Sequence, residues 1–272
     1  MNQLFSVRGQ AAIVTGAASG LGLAIAEALA SGGARVTLLD LNGAAVERET
    51  GRLRQAGLEV RAAALDVSDR QALDTAFDAA AAAHGGLDIV FANAGIDPGP
   101  GFVSVAHRGT RVPEQQIENY SDERWHKVVG ISLDAAFYSI RAAARLMKPA
   151  GRGSIIVTTS ISAVRPAPAV GMAYMAAKAG AAHLVRTCAL ELARYGIRVN
   201  AIAPGPFATN ISADRADAAD FRAAQTAAVP LGRVAAPEEI QGLALLLASG
   251  ASGFITGEQI VIDGGASLGA AC

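Results

Sequence analysis

The stretch AAIVTGAASGLGLAIAEALAS, residues 11–31, decides the fold class of this chain. Its first five residues are a short apolar run, as in a strand that is buried on both faces. A glycine-rich turn follows, and residues 21–31 then have the composition of a helix. A buried strand that leads through a turn into a helix is the first half of a β–α–β unit, so we expect an α/β fold.

The same alternation continues along the rest of the chain. Short apolar runs predict seven strands, at residues 11–15, 35–39, 59–65, 87–92, 154–158, 197–202 and 259–262. Predicted helices lie between them, at residues 21–31, 43–55, 69–83, 122–147, 171–195 and 237–248. This pattern predicts a doubly wound parallel sheet of seven strands with helices on both faces. No linker or change in composition interrupts it, so we expect residues 1–272 to form a single domain.

Two long segments break this rhythm. Residues 96–120 are rich in glycine and proline, and residues 204–236 contain one weak helical stretch. Loops of this length in a compact domain are usually functional. Both follow the carboxyl end of a predicted strand, where open α/β sheets bind their ligands. We therefore expect both segments to border a substrate site.

The composition excludes several classes of protein. Hydrophobic residues make up 51% of the chain and the net charge is −1, which argues against a nucleic-acid or anionic-membrane partner. The N-terminus does not resemble a signal peptide, and no apolar run is long enough to span a membrane, so we expect a cytoplasmic protein. Two cysteines, Cys188 and Cys272, and four scattered histidines show no metal-ligand spacing, and we expect no metal.

The glycine-rich turn, TGAASGLG at residues 15–22, is a candidate phosphate-binding site. Gly16, Gly20 and Gly22 let backbone N–H groups approach a pyrophosphate, and the next helix directs its positive end at that position. The spacing G-x-x-x-G-x-G differs from the more common G-x-G-x-x-G, and tight turns need glycine for other reasons too. Its place between a predicted strand and a predicted helix favours the nucleotide-binding interpretation.

Asp40 ends the second predicted strand and bears on the identity of the nucleotide. A carboxylate at this place accepts hydrogen bonds from both ribose hydroxyls and would repel a 2′-phosphate. Ser19, just before Gly20, offers no positive charge to such a phosphate. Both residues favour NAD over NADP. The alternative for Asp40 is an ordinary cap of the strand end.

Tyr174 and Lys178 form the candidate proton-transfer pair. They lie four residues apart in AYMAAKAG, an alanine-rich stretch, and would share one face of a helix. A phenol with an unperturbed pKa of about 10 exchanges protons poorly at neutral pH. We expect the ammonium group of Lys178 to lower the pKa of Tyr174 and to make the phenol a usable general acid/base. The alternative is a pair of unrelated helix-surface residues.

These features, with others along the chain, resemble the single-domain short-chain dehydrogenase/reductase family over nearly the whole length. The resemblance rests on residues 15–22, Asp40, Asp66, Val67, Asn93, Ala94, Gly95, Ser160, Tyr174, Lys178, residues 204–209 and residues 257–265. It implies a Rossmann-type sheet and an oxidoreductase that transfers a hydride between NAD(H) and a secondary alcohol or ketone. It also implies a homotetramer, in which helices 122–147 and 171–195 pack against copies of themselves.

The resemblance further implies a role for each matching residue. Tyr174 would be the general acid/base, Lys178 would bind the nicotinamide ribose, and Ser160 would hydrogen-bond the substrate oxygen. The implied cofactor site consists of Gly16, Ser19, Gly20, Leu21, Gly22, Asp40, Leu41, Asp66, Val67, Asn93, Ala94, Gly95, Tyr174, Lys178, Pro204, Gly205, Phe207 and Thr209.

Two positions depart from the family pattern. The string TTSISA offers both Ser160 and Ser162, with Ile161 at the more usual distance from Tyr174, and the end of the predicted strand favours Ser160. In the long helix the chain has Ser132 where the family usually has an asparagine that holds a water in the proton relay. A serine hydroxyl also binds water. We expect Ser132 to serve the relay, with simple filling of the position as the alternative.

The sequence defines the substrate less closely. Predicted pocket walls are Ile96, Ile161, Ser162 and Phe207, with further candidates at Asp97, Pro168 and Ile211. This mostly apolar set suits a small alicyclic alcohol, a polyol, a sugar or a hydroxyacyl group. The loop cations His107, Arg108 and Arg111 are expected in solvent; if they faced inward, the substrate would be an anion.

Two other functions stay open. A 3-oxoacyl carrier-protein reductase would use NADPH, and Asp40 argues against that cofactor. A nucleotide-binding scaffold without chemistry would not need Tyr174 and Lys178, and both are present.

Overall fold

A sheet of seven parallel strands forms the centre of the molecule. A computed structural model describes residues 3–104, 109–209, 211 and 218–269, without the side chains of residues 218–222. His107, Arg108 and Cys272 lie outside these residues. The strands are β1 Ala11–Thr15, β2 Arg35–Asp40, β3 Val60–Ala64, β4 Ile89–Ala92, β5 Gly153–Thr158, β6 Ile197–Pro204 and β7 Gln259–Ile262.

The strands lie in the order β3-β2-β1-β4-β5-β6-β7. The order reverses next to β1, where β2 lies on one side and β4 on the other, and every pairing is parallel. This is the doubly wound sheet that the alternation of apolar runs and helices predicts, so the fold class is confirmed. A reversal of strand order opens a crevice at the carboxyl edge, where such sheets bind ligands.

Helices cover both faces of the sheet. They are α1 Gly20–Ser31, α2 Gly43–Gln55, α3 Arg70–His84, α4 Asp122–Val129, α5 Ala135–Met147, α6 Met172–Leu192, α7 Ala218–Ala228 and α8 Gln241–Ala248. Adjacent residues of β1 point to opposite faces: Val14 joins the apolar cluster under α1 and α8, whereas Ile13 joins the cluster under α3, α5 and α6. Burying a side chain of this size contributes about 1.5–3 kcal/mol, so both faces of the strand hold the fold together.

The prediction of one regular α-helix at residues 122–147 is wrong. A π-helical turn, Gly130–Asp134, separates α4 from α5 and contains the buried Ser132. The composition of the stretch is helical throughout, and a change from i→i+4 to i→i+5 bonding leaves no mark in apolar periodicity. The predicted helix 237–248 likewise begins as a 3₁₀ turn, Pro237–Ile240, before α8.

The two long segments contain little regular structure. Residues 96–120 include the short 3₁₀ turns Pro113–Gln115 and Ile117–Asn119 and a single β-bridge between Val103 and Arg111. The second segment carries α7.

Among the described residues, no helix combines the length and the apolar character that a membrane crossing needs.

Close backbone packing at the start of α1 gives a first prediction. A Cβ atom at Gly22 would lie 2.0 Å from the carbonyl oxygen of Gly16 and 2.6 Å from Nδ2 of Asn93. Gly22→Ala should therefore destabilise the protein by about 1–3 kcal/mol through overpacking. The matched control is Gly51→Ala in α2, where an added Cβ meets nothing within 4 Å, and where alanine should stabilise by about 0.5–1 kcal/mol. Chemical denaturation of both variants measures the two shifts; equal stabilities would contradict the packing argument.

Candidate active site

A cavity of about 630 Å³ lies at the carboxyl edge of the sheet. Loops that follow β1, β2, β4, β5 and β6 border it, so distant parts of the sequence meet there. Its lining includes every predicted cofactor and substrate residue: Gly16, Ser19, Gly20, Leu21, Gly22, Asp40, Leu41, Asp66, Val67, Asn93, Ala94, Gly95, Ile96, Ile161, Ser162, Tyr174, Lys178, Pro204, Gly205, Phe207 and Thr209. Ser160 also lines the cavity. Ser132, the remaining predicted site residue, is buried beside it.

Sequence reasoning missed several parts of the wall. They are Thr158, Thr159, Arg165 and the loop around Ala167, together with Gln225 on α7 and Ser267 near the C-terminus. None of these lies in a motif that requires a particular side chain. Their position after a strand end, or on the segment at residues 204–236, was the signal that could have found them.

The glycine-rich turn forms one end of the cavity. Gly16 and Gly20 have φ angles of 64° and 54°, a left-handed backbone that glycine adopts without strain. Ser19 is the N-cap of α1, but its side chain makes no capping hydrogen bond. The first N–H groups of a helix lack intrahelical partners. At the start of α1 no side chain caps them, and the residues that carry them line the cavity. Such a helix end suits a phosphate, so the residues present fit the diphosphate of a dinucleotide.

Asp40 has a structural role that the sequence offered only as the alternative. Its Oδ2 accepts a hydrogen bond from the backbone N–H of Ala18 at 2.9 Å, and its Oδ1 accepts one from Asn42 at 2.9 Å. The carboxylate therefore ties the end of β2 to the glycine-rich turn. A carboxylate has about four acceptor positions, so this role leaves capacity for ribose hydroxyls. The nearby lining residues Ser19 and Leu41 carry no charge.

Asn93 joins the two halves of the cavity. Its Nδ2 donates to the carbonyl oxygens of Thr15 at 3.1 Å and Gly16 at 3.4 Å, so it holds the turn after β1. Its Oδ1 accepts a hydrogen bond from Oγ1 of Thr158, at the end of β5, at 2.9 Å. Both the NH2 group and the oxygen of this amide are thus hydrogen-bonded, and they connect the ends of β1 and β5. The glycine-rich end is thereby fixed relative to the end that holds Tyr174.

Tyr174 and Lys178 lie on α6, and both are buried at the cavity wall. Nζ of Lys178 donates to the carbonyl oxygen of Thr158 at 2.6 Å and lies 5.6 Å from the centroid of the Tyr174 ring. A Cβ at Gly95 would lie 3.0 Å from Nζ, a tight contact, so glycine leaves room for the lysine at this position.

Ser160 is the serine that the structure brings to the phenol of Tyr174, with which it shares a hydrogen bond. Its Oγ also accepts the backbone N–H of Ser162 at 3.0 Å, which fixes the hydroxyl at the start of a 3₁₀ turn. Ile161 and Ser162 line the cavity beyond it. Of the two candidate serines, this geometry favours Ser160 next to the reacting groups.

The electrostatics of the pair differ from the sequence expectation. Burial raises the pKa of the Tyr174 phenol, the Ser160 hydrogen bond opposes that rise, and the negative charge of Asp97 adds to it. Burial also lowers the pKa of Lys178 to about 8. The expected lowering of the tyrosine pKa by lysine is therefore not found, because spacing places the two side chains together without revealing that both leave water. With the protein's own groups alone, Tyr174 is protonated and Lys178 mostly cationic at neutral pH.

The hydroxyl of Ser132 is engaged with the backbone of Ile96. Its Oγ accepts the Ile96 N–H at 3.2 Å and donates to the Ile96 carbonyl oxygen at 3.3 Å. Ser132 is 1% exposed and lies in the π-helical turn between α4 and α5. Both hydrogen bonds hold the segment that follows β4, next to Gly95 and Lys178. We interpret Ser132 as a positioning residue for this segment; its second lone pair can still accept from a water, so its role in the proton relay stays a prediction.

The carboxylate of Asp97 is buried at the substrate end of the cavity. The predicted wall residues Pro168 and Ile211 also line this end. Of the three loop cations, Arg111 is exposed and its Nη1 donates to Oε1 of Gln116 at 2.8 Å, as expected for a solvated side chain. No cluster of three or more histidine, cysteine, aspartate or glutamate side chains suited to a metal occurs among residues 3–104, 109–209, 211 and 218–269.

Comparisons with known proteins agree with this architecture. A family model described as enoyl-(acyl carrier protein) reductase matches residues 16–267. A cis-4-hydroxycyclohexanecarboxylate dehydrogenase of Sinomonas cyclohexanicum is 38% identical over 269 residues, 97% of this chain and 98% of that protein. A sorbose reductase of Schizosaccharomyces pombe is 34% identical over 270 residues, again 97% and 98%. The crystal structure of a gluconate 5-dehydrogenase from Burkholderia cenocepacia in complex with NADP and tartrate has a TM-score of 0.84 at 30% identity, with 98% of each chain covered.

The Ser132 contacts give a second prediction. Ser132→Ala should destabilise the protein by about 1–3 kcal/mol, because it leaves the buried N–H and carbonyl groups of Ile96 without their partner. Ser139→Ala is the matched control: that buried hydroxyl only donates to the Ala135 carbonyl of its own helix, and its loss should cost less than about 1 kcal/mol. Chemical denaturation compares the two, and a Ser132→Ala loss no larger than the control would remove the positioning role.

Proposed function

The chain belongs to the short-chain dehydrogenase/reductase family, and from this premise we propose that it transfers a hydride between NAD(H) and a secondary alcohol or ketone. The proposed substrates are small alicyclic alcohols, polyols or sugars. One observation carries the proposal: the glycine-rich turn and the side chains of Ser160, Tyr174 and Lys178 line a single cavity. A cavity of this size has room for a small-molecule substrate beside a nucleotide-binding surface.

The cofactor would be held by this chain's own groups. The N-terminus of α1, with Gly16, Gly20 and Gly22, would bind the diphosphate, and Asp40 would accept the ribose hydroxyls. Lys178 would bind the second ribose near Tyr174. When bound, a nicotinamide cofactor supplies the hydride acceptor or donor of the reaction.

The protein's part in the chemistry is proton transfer and positioning. As a hydride leaves the alcohol carbon, the hydroxyl proton must leave its oxygen, and Tyr174 is the group placed to take it. Ser160 would hydrogen-bond the same oxygen and stabilise its developing negative charge. Lys178 adds positive charge to this end of the cavity while its Nζ stays bound to the Thr158 carbonyl. In the reverse direction the protonated phenol, which burial favours, is the acid that a ketone requires.

Tyr174→Phe tests this mechanism. Removal of the proton-transfer group should lower kcat by about 10²- to 10⁴-fold and leave NADH binding within a few-fold of the parent. Tyr195→Phe is a matched control, since its hydroxyl contacts Arg194 outside the cavity. The assay is a panel of secondary alcohols, polyols and cyclic ketones with NAD and NADP, read by absorbance of the reduced cofactor. Substantial turnover by Tyr174→Phe would exclude Tyr174 as the acid/base.

NAD is the proposed cofactor because Asp40 is the charged group beside the expected ribose position, and neither Ser19 nor Leu41 can balance a 2′-phosphate. The structural neighbour from Burkholderia cenocepacia was solved with NADP, so the preference has to be measured for this chain. The description of the matching family model keeps a carrier-protein reductase as the second candidate. That enzyme would reduce the 3-oxo group of a carrier-bound acyl thioester, and the sequence argument for it assumes NADPH.

Asp40→Asn tests the cofactor assignment. Asparagine removes the charge and retains one acceptor oxygen, which can bond either the Ala18 or the Asn42 backbone N–H, while its NH2 group occupies the position of the second oxygen. We expect the ratio of NADPH to NADH affinity to rise by about ten- to a hundredfold, which corresponds to roughly 1.4–2.7 kcal/mol. Cofactor fluorescence titration measures both affinities, and a thermal melt verifies that the turn is intact. A parent protein that already prefers NADPH would refute the role of Asp40 and favour the carrier-protein alternative.

A homo-oligomer, by resemblance a tetramer, is part of the proposal. Large apolar side chains are exposed on the helices expected at the interface. They are Trp125 on α4, Phe137 on α5 and Leu190 on α6. Side chains of this kind are enriched at protein–protein interfaces. A cytoplasmic location also stays a prediction.

A further inference from the structure

Gln225 presents an amide group to the cavity from α7. Ala224, Gln225 and Ala228 all line the cavity. Ala228 lies four residues after Ala224 and three after Gln225, so the three residues share one side of the helix. The two alanines offer only methyl groups. Among the described residues of α7 that line the cavity, Gln225 is therefore the one whose side chain can form hydrogen bonds.

Packing against the segment after β7 fixes the end of α7. Val229 follows the helix and is buried, and the N–H of Leu231 donates to the carbonyl oxygen of Gly264 at 3.2 Å. A Cβ at Gly264 would lie 2.7 Å from Cγ1 of Val229, so the two chain segments are in close contact. Gln225 lies about one helical turn before Val229, and this packing therefore sets its position at the cavity.

The same segment after β7 contacts the loop that carries Ser162. Nη1 of Arg165 donates to the carbonyl oxygen of Ala266 at 3.4 Å, and both residues line the cavity. The segment after β7, the end of α7 and the loop after Ser160 therefore meet at one part of the cavity wall. Ser160 hydrogen-bonds Tyr174, so this part of the wall lies near the groups that would bind the reacting oxygen.

Ser162 adds a hydroxyl group to this part of the wall. Its backbone N–H donates to Oγ of Ser160 at 3.0 Å, so the two serines are fixed relative to each other in one 3₁₀ turn. No described residue forms a hydrogen bond with the Ser162 hydroxyl, which leaves it available to a ligand. Thr159 is different: it also lines the cavity, but its Oγ1 donates to the Ile202 carbonyl oxygen at 2.9 Å and lies 3.2 Å from Oε1 of Gln259.

Gln225 and Ser162 offer the same kind of contact to a substrate. Both are half-buried, and no described residue hydrogen-bonds the Gln225 amide either. An amide and a hydroxyl each combine a donor with an acceptor and carry no charge, as a substrate hydroxyl does. The cavity is otherwise lined largely by apolar side chains such as Ile96, Ile161 and Phe207. In such a pocket a few polar groups decide orientation and specificity. An unsubstituted ring at this place would displace water from both groups and leave them without partners.

We propose that Gln225 and Ser162 are specificity-determining residues that bind a second hydroxyl group of the substrate, so that the site prefers diols and polyols to simple alicyclic alcohols. The inference rests on the proposed dehydrogenase function and narrows its substrate class. A hydrogen bond between uncharged groups contributes roughly two- to tenfold to an affinity. Two such contacts favour a diol whose second hydroxyl reaches both residues by about five- to fiftyfold.

Cyclohexanol and the cyclohexanediols test this selection. The 1,2-, 1,3- and 1,4-diols, each as cis and trans isomers, carry the second hydroxyl at different places on the same ring. Each compound is assayed as a substrate with the cofactor that the parent prefers, and as a competitive inhibitor of whichever panel alcohol is turned over. Values of kcat/KM are halved for diols with two equivalent hydroxyls, since either one can react. We expect at least one diol to exceed cyclohexanol by about five- to fiftyfold, in kcat/KM or in the inhibition constant.

Gln225→Met should lower that ratio by about two- to tenfold, mainly through the KM of the diol. Methionine retains the length of the side chain but lacks the donor and the strong acceptor of the amide. Gln225→Ala, which extends the alanine side of α7, is a second variant, and Ser162→Ala tests the other residue; both should lower the ratio by a similar factor. Gln55→Met, on the exposed surface of α2 outside the cavity, is the matched control and should leave the ratio unchanged. Thermal melts verify the folding of each variant, and the ratio cancels a general loss of activity.

The outcomes separate the two proposals. A parent that favours no diol over cyclohexanol overturns the selection, and Gln225→Met and Gln225→Ala variants that retain the parental ratio overturn the role of Gln225. In either case Tyr174-dependent oxidation of an alcohol would leave the dehydrogenase function standing. A parent that oxidises no alcohol and reduces no ketone in the panel overturns both.

Discussion

The amide of Asn93 is the constraint on which the rest of the site depends. It donates to the backbone of the turn after β1 and accepts from Thr158 at the end of β5. Thr158 in turn presents its carbonyl oxygen to Nζ of Lys178. A single chain of hydrogen bonds thus runs from the glycine-rich turn to the lysine on α6. Because these groups are largely removed from water, each bond also satisfies a polar group that would otherwise be costly to bury.

This connection explains how a buried lysine is tolerated. Lys178 is 3% exposed, and burial disfavours its charged form, which lowers its pKa to about 8. The Thr158 carbonyl offers the ammonium group one strong acceptor, and Gly95 leaves the space it needs. Burial acts on Tyr174 in the opposite sense and favours the neutral phenol. Burial therefore disfavours the charged form of both adjacent groups, although at neutral pH Tyr174 keeps its proton and Lys178 is still mostly cationic.

Much of this arrangement could be predicted from the sequence, and the limits are physical. Strands such as Ala11–Thr15 and Gln259–Ile262 were predicted to the residue, because a short apolar run between turns has few other interpretations. The lining residues followed from motifs whose order fixes their strand. The π-helical turn at Ser132 could not be predicted, since a change from i→i+4 to i→i+5 bonding leaves no mark in apolar periodicity. The raised pKa of Tyr174 was hidden because burial is a property of the assembled fold.

The remaining feature that was not predicted is how rigidly each site residue is held, on a helix or strand or on a loop. Tyr174 and Lys178 project from a 21-residue helix, and Ser160 lies two residues after the end of β5, so their separations are set largely by regular structure. Asp97, in contrast, lies on a loop. Gly101 and Val103 of that loop pair with Ala169 and Pro168 of a second loop. Residues on loops can change without disturbing the sheet, whereas a shift of the helix would displace the Lys178–Thr158 bond and with it the Asn93 connection. A change on these loops therefore leaves the positions of Tyr174 and Lys178 intact, because the loops share no hydrogen bond with the chain from Asn93 to Lys178 among the contacts described.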